Sequence, residues 1–446
     1  MQYPDSVEFL YALGNELKTV KFGLDRIRTL LAALGNPQLA YRVVHVAGTN
    51  GKGSTCAMIA SGLEAAGFRT GLYTSPHLIE PTERIRINGS DIPQPAFVHA
   101  FEQVHRRAEA MVAAGELDMH PTYFETITAM GFLAFAEAGL DWAVVEVGLG
   151  GRLDATNVVE PAITAITPVD YDHEAWLGNS IQAIASEKAG ILKPGIPAVF
   201  ATQRPEALAV LHDRAGTLKC PAYETSLWAV GNLQLHPSGC RFSLTRERPL
   251  SLECPLRGAW QVENARTAAA VLDLLKLPSH AIEHGIANVR WPGRLERLST
   301  RPEVLVDGAH NPSGCAALAE YIRSTRGAHR TWLVFGAMRD KAISEMTSLL
   351  FPLADELILT ALRQPRALRP EVLAEEAPQA SSSPGSQGRA PFPRVRVAPA
   401  FADAMVLLKD AQPEDRVFIA GSLFLAGEAK AWFANSDSSS QSPLAS

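Results

Sequence analysis

Cysteine is scarce and unpatterned in this chain. The five residues (Cys56, Cys220, Cys240, Cys254, Cys315) are an odd number with no C-x-x-C pair, so neither a disulfide framework nor a zinc site is indicated. Buried thiols are expected instead. No segment approaches the roughly 18 uninterrupted apolar residues that span a bilayer. No cluster of lysine and arginine accompanies the formal charge of −6, which excludes a nucleic-acid partner and leaves any anionic substrate to local groups. The first fifteen residues carry Asp5 and Glu8 and no base ahead of an apolar run, so neither a secretory signal nor a transit peptide is expected. The reading is a cytoplasmic, soluble protein with no membrane contact, expected to be a monomer.

What is present is ordinary globular material, 47% apolar and 20% charged, in 446 residues, too many for one core. Arg42 to Ala47 (RVVHVA) reads as a strand, followed by glycines and a helical stretch from Ser54 to Ala66. Apolar runs at Thr70 to Tyr73, Trp142 to Val147 and Ala162 to Thr167 alternate with helical segments such as Tyr123 to Glu137. This alternation predicts an α/β fold, a parallel sheet covered by helices on both faces. Tyr223 to Leu256 reads as a small antiparallel β insertion, and Ala259 to Leu275 as a helix. Trp291-Pro292-Gly293-Arg294 marks a boundary. Beyond it a second α/β unit is expected, with strands at 304–306, 331–335, 356–360, 395–397 and 417–420, and Pro312 in a first helical turn. The expected division is residues 1–293, residues 294–434 and a disordered tail at 435–446. The Ser/Pro/Gly-rich stretch 377–391 is also expected to lack fixed structure.

The first strand runs into Gly48-Thr49-Asn50-Gly51-Lys52-Gly53-Ser54-Thr55 and then a helix, an arrangement that aims backbone N–H groups and a helix dipole at phosphate oxygens. Lys52 would supply a point charge to the β- and γ-phosphates. The strict P-loop spacing fails, because Val46 and Gly53 stand where it asks for Gly and Ser/Thr. A Gly-rich turn could be purely structural, but three glycines and a lysine between strand and helix favour nucleotide binding. Gly148-Leu149-Gly150-Gly151-Arg152-Leu153 follows another strand, yet Leu153 replaces the third glycine of a dinucleotide fingerprint.

Nine segments in order then carry a resemblance: HVAGTNGKGST at 45–55, YTSPHL at 73–78, TERIRI at 82–87, TYFE at 122–125, EVGLGGRLDATN at 146–157, DHEAWLG at 172–178, EKAGILK at 187–193, PGRLE at 292–296 and DGAHNP at 307–312. Together they resemble the folylpolyglutamate synthase and dihydrofolate synthase family, a branch of the Mur-type amide ligases. The resemblance implies an N-terminal P-loop-type ATPase domain and a smaller, Rossmann-like C-terminal glutamate-ligase domain. ATP would be held by Thr49, Asn50, Gly51, Lys52, Gly53 and Ser54, with Asn264, Arg294, Asp307 and His310 reaching it from both sides of the boundary. Mg²⁺ would be ligated by Ser75, Glu146 and His173. Pterin and pteroate contacts would come from Thr19, Val20, Lys21 and Phe22, from Ser75 and His77, and from Thr122, Tyr123 and Phe124. Lys52, Glu146, His173 and Lys188 would be the catalytic group, with Lys188 in a run resembling the family's carbamylated-lysine segment. Two departures stand out. Ala342 follows Asp340-Lys341 where the family often has a second aspartate, and Trp260 stands where a histidine is frequent.

The implied reaction adds L-glutamate to folates, and to dihydropteroate, through an acyl phosphate formed with ATP. A muramyl-type ligase, a nucleotide-binding switch without ligase activity, and a dehydrogenase are the rival readings. The SPHL, TYFE and DGAHNP wording speaks against the first.

Overall fold

The structure is a computed structural model in which residues 2–14, 23–245, 249–377 and 393–437 are described. Its strands are β1 (Arg42–Ala47), β2 (Thr70–Tyr73), β3 (Ile85–Ile87), β4 (Ser90–Asp91), β5 (Trp142–Glu146), β6 (Ile163–Ile166), β7 (Ala198–Phe200), β8 (Ala222–Glu224), β9 (Ala229–His236), β10 (Gly239–Thr245), β11 (Leu250–Cys254), β12 (Glu296–Thr300), β13 (Glu303–Val306), β14 (Thr331–Phe335), β15 (Glu356–Thr360), β16 (Arg394–Ala398) and β17 (Arg416–Ala420).

The first sheet has the order β4-β3-β2-β5-β1-β6-β7-β8. From β2 to β8 neighbours are parallel, and only the β3–β4 edge is antiparallel. The central strands are buried along almost their whole length because both faces are covered, which is why they read as continuous rather than alternating apolar runs. One face packs on helices Lys52–Ala65 and Trp260–Leu274; the other packs on Asp25–Ala33, Gln94–Ala113 and Tyr123–Glu137. The expected insertion is present as the antiparallel sheet β11-β10-β9, but it begins at Ala229; Tyr223 and Glu224, expected within it, belong to β8, which pairs in parallel with β7 at the edge of the first sheet. Its Phe242, Leu244 and Leu252 join the first core.

The second sheet, β12-β13-β17-β14-β15-β16, is parallel except at β12. Helices Pro312–Ser324 and Ile343–Leu350 cover one face, and Phe401–Leu408 and Leu423–Asp437 the other. Pro312 begins its helix as expected. The main helix of the first unit starts at Lys52 rather than Ser54, because Gly51 takes a left-handed N-cap conformation. The expected tail at 435 begins too early. The last helix runs to Asp437, its final turns anchored by buried Phe433; 438–446 lie outside the described residues, as do 378–392 of the Ser/Pro/Gly-rich stretch.

Candidate active site

The carboxyl ends of β1, β5 and β6 lie side by side, and their loops open toward the second sheet's β13–Pro312 turn. In open α/β sheets this edge is where ligands bind. A cleft of ≈ 530 Å³ occupies it, lined from the first unit by the 48–53 loop, Ser75, Phe124, Glu146, Asp172, His173 and Lys188, and from the second by His310, Lys341 and Arg366, with Arg294 at the boundary.

The phosphate loop is shaped by what surrounds it. Gly51 sits at φ 83°, and a Cβ there would overlap Asn264 Oδ1; only glycine meets both demands. Asn264 itself is buried and bonds Gln261 Oε1 at 2.9 Å, so it supports the loop from behind. Thr49 is spent internally. Its hydroxyl donates to Asp170 O at 2.9 Å and accepts from Asp170 N at 3.0 Å, and its own N–H donates to Pro168 O at 3.0 Å. The donors left to face an anion are therefore at Gly51 to Ser54, at the helix start. Lys52 Nζ, half-buried, rests on Thr49 O at 3.1 Å.

Asn50 turns away from the loop and reaches the other unit. Its amide donates to Asn311 Oδ1 at 3.3 Å and, at shorter range, to Ser313 Oγ, while Asn311 Nδ2 donates back to Asn50 Oδ1 at 3.0 Å. Asn311 Nδ2 also donates to Asp172 Oδ2 at 3.0 Å. Asp172 is the hub of this crossing: Lys341 Nζ lies 2.8 Å from Oδ1, with His310 and His173 Nε2 at 3.7 and 3.8 Å from Oδ2. Burial alone would raise its carboxyl, but His173, His310 and Lys341 outweigh that and hold it far below the ordinary range. Burial lowers both imidazoles to about 4, so they are neutral at pH 7.

Glu146 ends β5 with Oε2 accepting the Ser75 N–H at 3.1 Å. Burial raises its carboxyl, against the pull of Lys52. A buried carboxylate with no ion-pair partner among the described residues is costly. A divalent cation would relieve it. Lys188 lies beneath the loop, fully buried, donating to Gly48 O at 2.9 Å. Burial, then the Lys52 charge, pulls it down to about 7.

Thr122 and Phe124 line the cleft. Thr122 caps helix Tyr123–Glu137, accepting from Glu125 N. Tyr123 and His77 lie off the main cleft. Tyr123 is buried, stacked on Tyr11 with ring centroids 5.8 Å apart. His77 is held between Arg84 Nε at 2.9 Å and Tyr11 Oη at 3.2 Å, and burial beside Arg84 lowers it to about 3. Asp307 also faces inward: its carboxylate accepts from Leu295 N at 3.0 Å and Ala309 N at 2.8 Å, which orients the strand end beside Arg294. Thr19 to Phe22 lie outside the described residues.

Sequence reasoning did not single out Asp172, Asn311 or Lys341. Asp172 and Asn311 stood inside quoted motifs, which was the available signal; the aspartate–lysine pairing, 169 residues apart, left none.

The Mur ligase middle domain family matches residues 46–272, and the Mur ligase, glutamate ligase domain matches 293–423. A dihydrofolate synthase/folylpolyglutamate synthase of Bacillus subtilis is 39% identical over 360 residues, 78% of this chain and 83% of that protein. This chain is a Mur ligase of the folylpolyglutamate synthase and dihydrofolate synthase family. Its two-domain fold superposes on Mycobacterium tuberculosis folylpolyglutamate synthase complexed with ADP at a TM-score of 0.88 and 33% identity, covering 97% of this chain and 98% of the other. Escherichia coli FolC in complex with DHPP and ADP gives 0.83 at 31% identity, covering 98% and 99%. Membership makes the chain an ATP-dependent ligase and sets aside the dehydrogenase and non-catalytic readings.

Proposed function

We propose that this chain adds L-glutamate to folates and also to dihydropteroate, in one active site, using ATP and Mg²⁺. The observation that carries the reading is the cleft itself, where a phosphate loop and a buried carboxylate from one domain face Arg294, His310 and Lys341 at the other. The division at 293/294 assigns ATP binding mainly to the first domain and glutamate to the second. A cytoplasmic monomer is part of the same reading.

A carboxylate is a poor acyl donor, so its oxygen first attacks the γ-phosphorus of ATP, releasing ADP and leaving an acyl phosphate. The neutral amine of glutamate then attacks the acyl carbon. A tetrahedral adduct forms, and its collapse expels phosphate and leaves the amide, the attacking nitrogen having given up one proton to solvent or a base and kept the other as the amide N–H. Lys52 and the N–H groups of residues 51–54 hold the phosphates and stabilise charge on the transferring group. Mg²⁺, held through Ser75, Glu146 and His173, would supply further charge neutralisation there. Lys188, held at Gly48 O, keeps the loop in place, and its lowered pKa supplies the neutral amine that carbamylation needs. Phe124 offers a flat apolar wall to a heterocycle.

The test is ATP-dependent incorporation of radiolabelled glutamate, run separately with dihydropteroate and with tetrahydrofolate. Incorporation with both, lost together in Lys52→Ala, is the expected result. Incorporation with tetrahydrofolate alone would make the enzyme a chain extender only.

A further inference from the structure

Away from the cleft, three side chains that the reaction does not use converge. His105 and Glu109 are one turn apart on helix Gln94–Ala113, and His120 sits in the segment that leads into Thr122. One donor atom from each lies within 4.8 Å of the others. Glu109 Oε1 is 3.9 Å from His105 Nδ1 and 3.6 Å from His120 Nε2.

The hydrogen bonding is incomplete in a telling way. His120 Nδ1 lies 2.9 Å from Pro121 O; a carbonyl only accepts, so Nδ1 carries the hydrogen. In the neutral ring Nε2 is then a lone pair. That lone pair is buried without a hydrogen-bond partner, and so is His105 Nδ1. Both face the Glu109 carboxylate; with the His105 hydrogen on Nε2, three electron-rich atoms meet there, an arrangement that an electrophile between them would resolve. Phe9 packs its ring against both imidazoles, with centroids 4.4 and 5.6 Å away, and Phe101 stacks on His105 at 5.3 Å. The rings are thus oriented by apolar neighbours and cannot swing freely to water.

We propose that His105, Glu109 and His120 form a binding site for a divalent transition metal, Zn²⁺ being the probe of choice. Two imidazoles and one carboxylate suit Zn²⁺, Co²⁺ or Ni²⁺ far better than Mg²⁺. Ligands at about 2.0–2.1 Å from a tetrahedral centre stand about 3.3 Å apart. The carboxylate oxygen stands 3.9 and 3.6 Å from the two nitrogens, a gap that a small shift of the exposed Glu109 closes, and the two imidazole nitrogens, within 4.8 Å of each other, close the remainder by small ring rotations. Water would take the fourth position. Such a centre would clamp the His120–Thr122 segment to the long helix and so steady the cap of the helix that presents Phe124 to the cleft.

The experiment uses untagged full-length protein, stripped with chelator and equilibrated with one equivalent of Zn²⁺ or Co²⁺. Expected are retention of one metal through gel filtration, Co²⁺ visible bands typical of low coordination number, and a Tm raised by Zn²⁺. His105→Gln/His120→Gln should lose all three and keep glutamate ligation, and Lys52→Ala should retain all three. Glu109→Gln, at a half-exposed position, tests the site with little risk to folding and should weaken Zn²⁺ binding at least tenfold. Failure of the wild type to retain Zn²⁺, or retention and Tm shifts unchanged in both His/His and Glu variants, overturns the assignment.

Discussion

Lys52 is the residue on which the reaction most depends and the fold least. Among the described residues its ammonium donates a hydrogen bond to Thr49 O and makes no ion pair, so Lys52→Ala should leave urea stability within about 0.5 kcal/mol while lowering kcat by about 10²-fold or more. Near-normal turnover in the folded variant would remove the loop from the mechanism. Lys188 presents the opposite case. The unfolded chain keeps this lysine protonated to about pH 10.4, whereas burial makes the folded protein release the proton near 7. Between those values the unfolded state binds more protons, so stability rises with pH, by at most about 1.4 kcal/mol per unit. Below 7 both states are protonated and the slope vanishes. In CO₂-free buffer the wild type should therefore gain stability from pH 7 to 10 relative to Lys188→Met. Parallel urea-midpoint curves for the two proteins would show that Lys188 stays charged in the fold.

At the scale of elements, the segment around Thr122 joins stability to the site. Thr122 Oγ1 accepts from Glu125 N, and Glu125 accepts from Thr122 N at 2.8 Å and pairs with buried Arg26 at 2.9 Å. Thr122→Ala removes the cap at a cost of about 1 kcal/mol; Thr122→Ser should restore most of it. Thermal unfolding of the three proteins reads this directly, and an Ala variant as stable as wild type would mean that the Glu125–Arg26 pair alone fixes the helix start. Most elements were legible because their physics is local. Strands β1 and β2 and helix Tyr123–Glu137 begin and end where their apolar patterns do. The short β3, β4, β7, β8 and β12 were not read; Ser90-Asp91, for one, has no apolar signature and exists only because β3 offers a ladder. Strand order was equally hidden, because β5 slots between β2 and β1 through contacts that no local pattern encodes. The phosphate loop was legible as glycines and a lysine; the fact that Thr49 is consumed by Asp170 and that Asn50 points to the other domain was not, because both depend on residues brought in from afar.

The molecule as a whole is two α/β domains meeting across a cleft, and their contacts differ in kind. Leu78 from the first domain packs into the apolar cluster formed by the last helix and β17, a contact that water strengthens. The cleft contacts are polar: Asn50 with Asn311 and Ser313, and Asp172 with Lys341. Polar contacts gain little over hydration unless buried and complete, and here Lys341 neutralises the Asp172 carboxylate at 2.8 Å. Lys341→Met would leave Asp172 buried without its ammonium partner at 2.8 Å, and the cheapest relief is to open the cleft and rehydrate it. The variant's free enzyme should then scatter with a larger radius of gyration than wild type, while an ATP analogue plus folate draws both toward the same compact profile. Because substrates must now supply the closing energy, KM for glutamate should rise about tenfold or more, with kcat reduced less. Identical scattering and an unchanged KM would place the closing interaction elsewhere, in the Asn50–Asn311 pair or at Leu78.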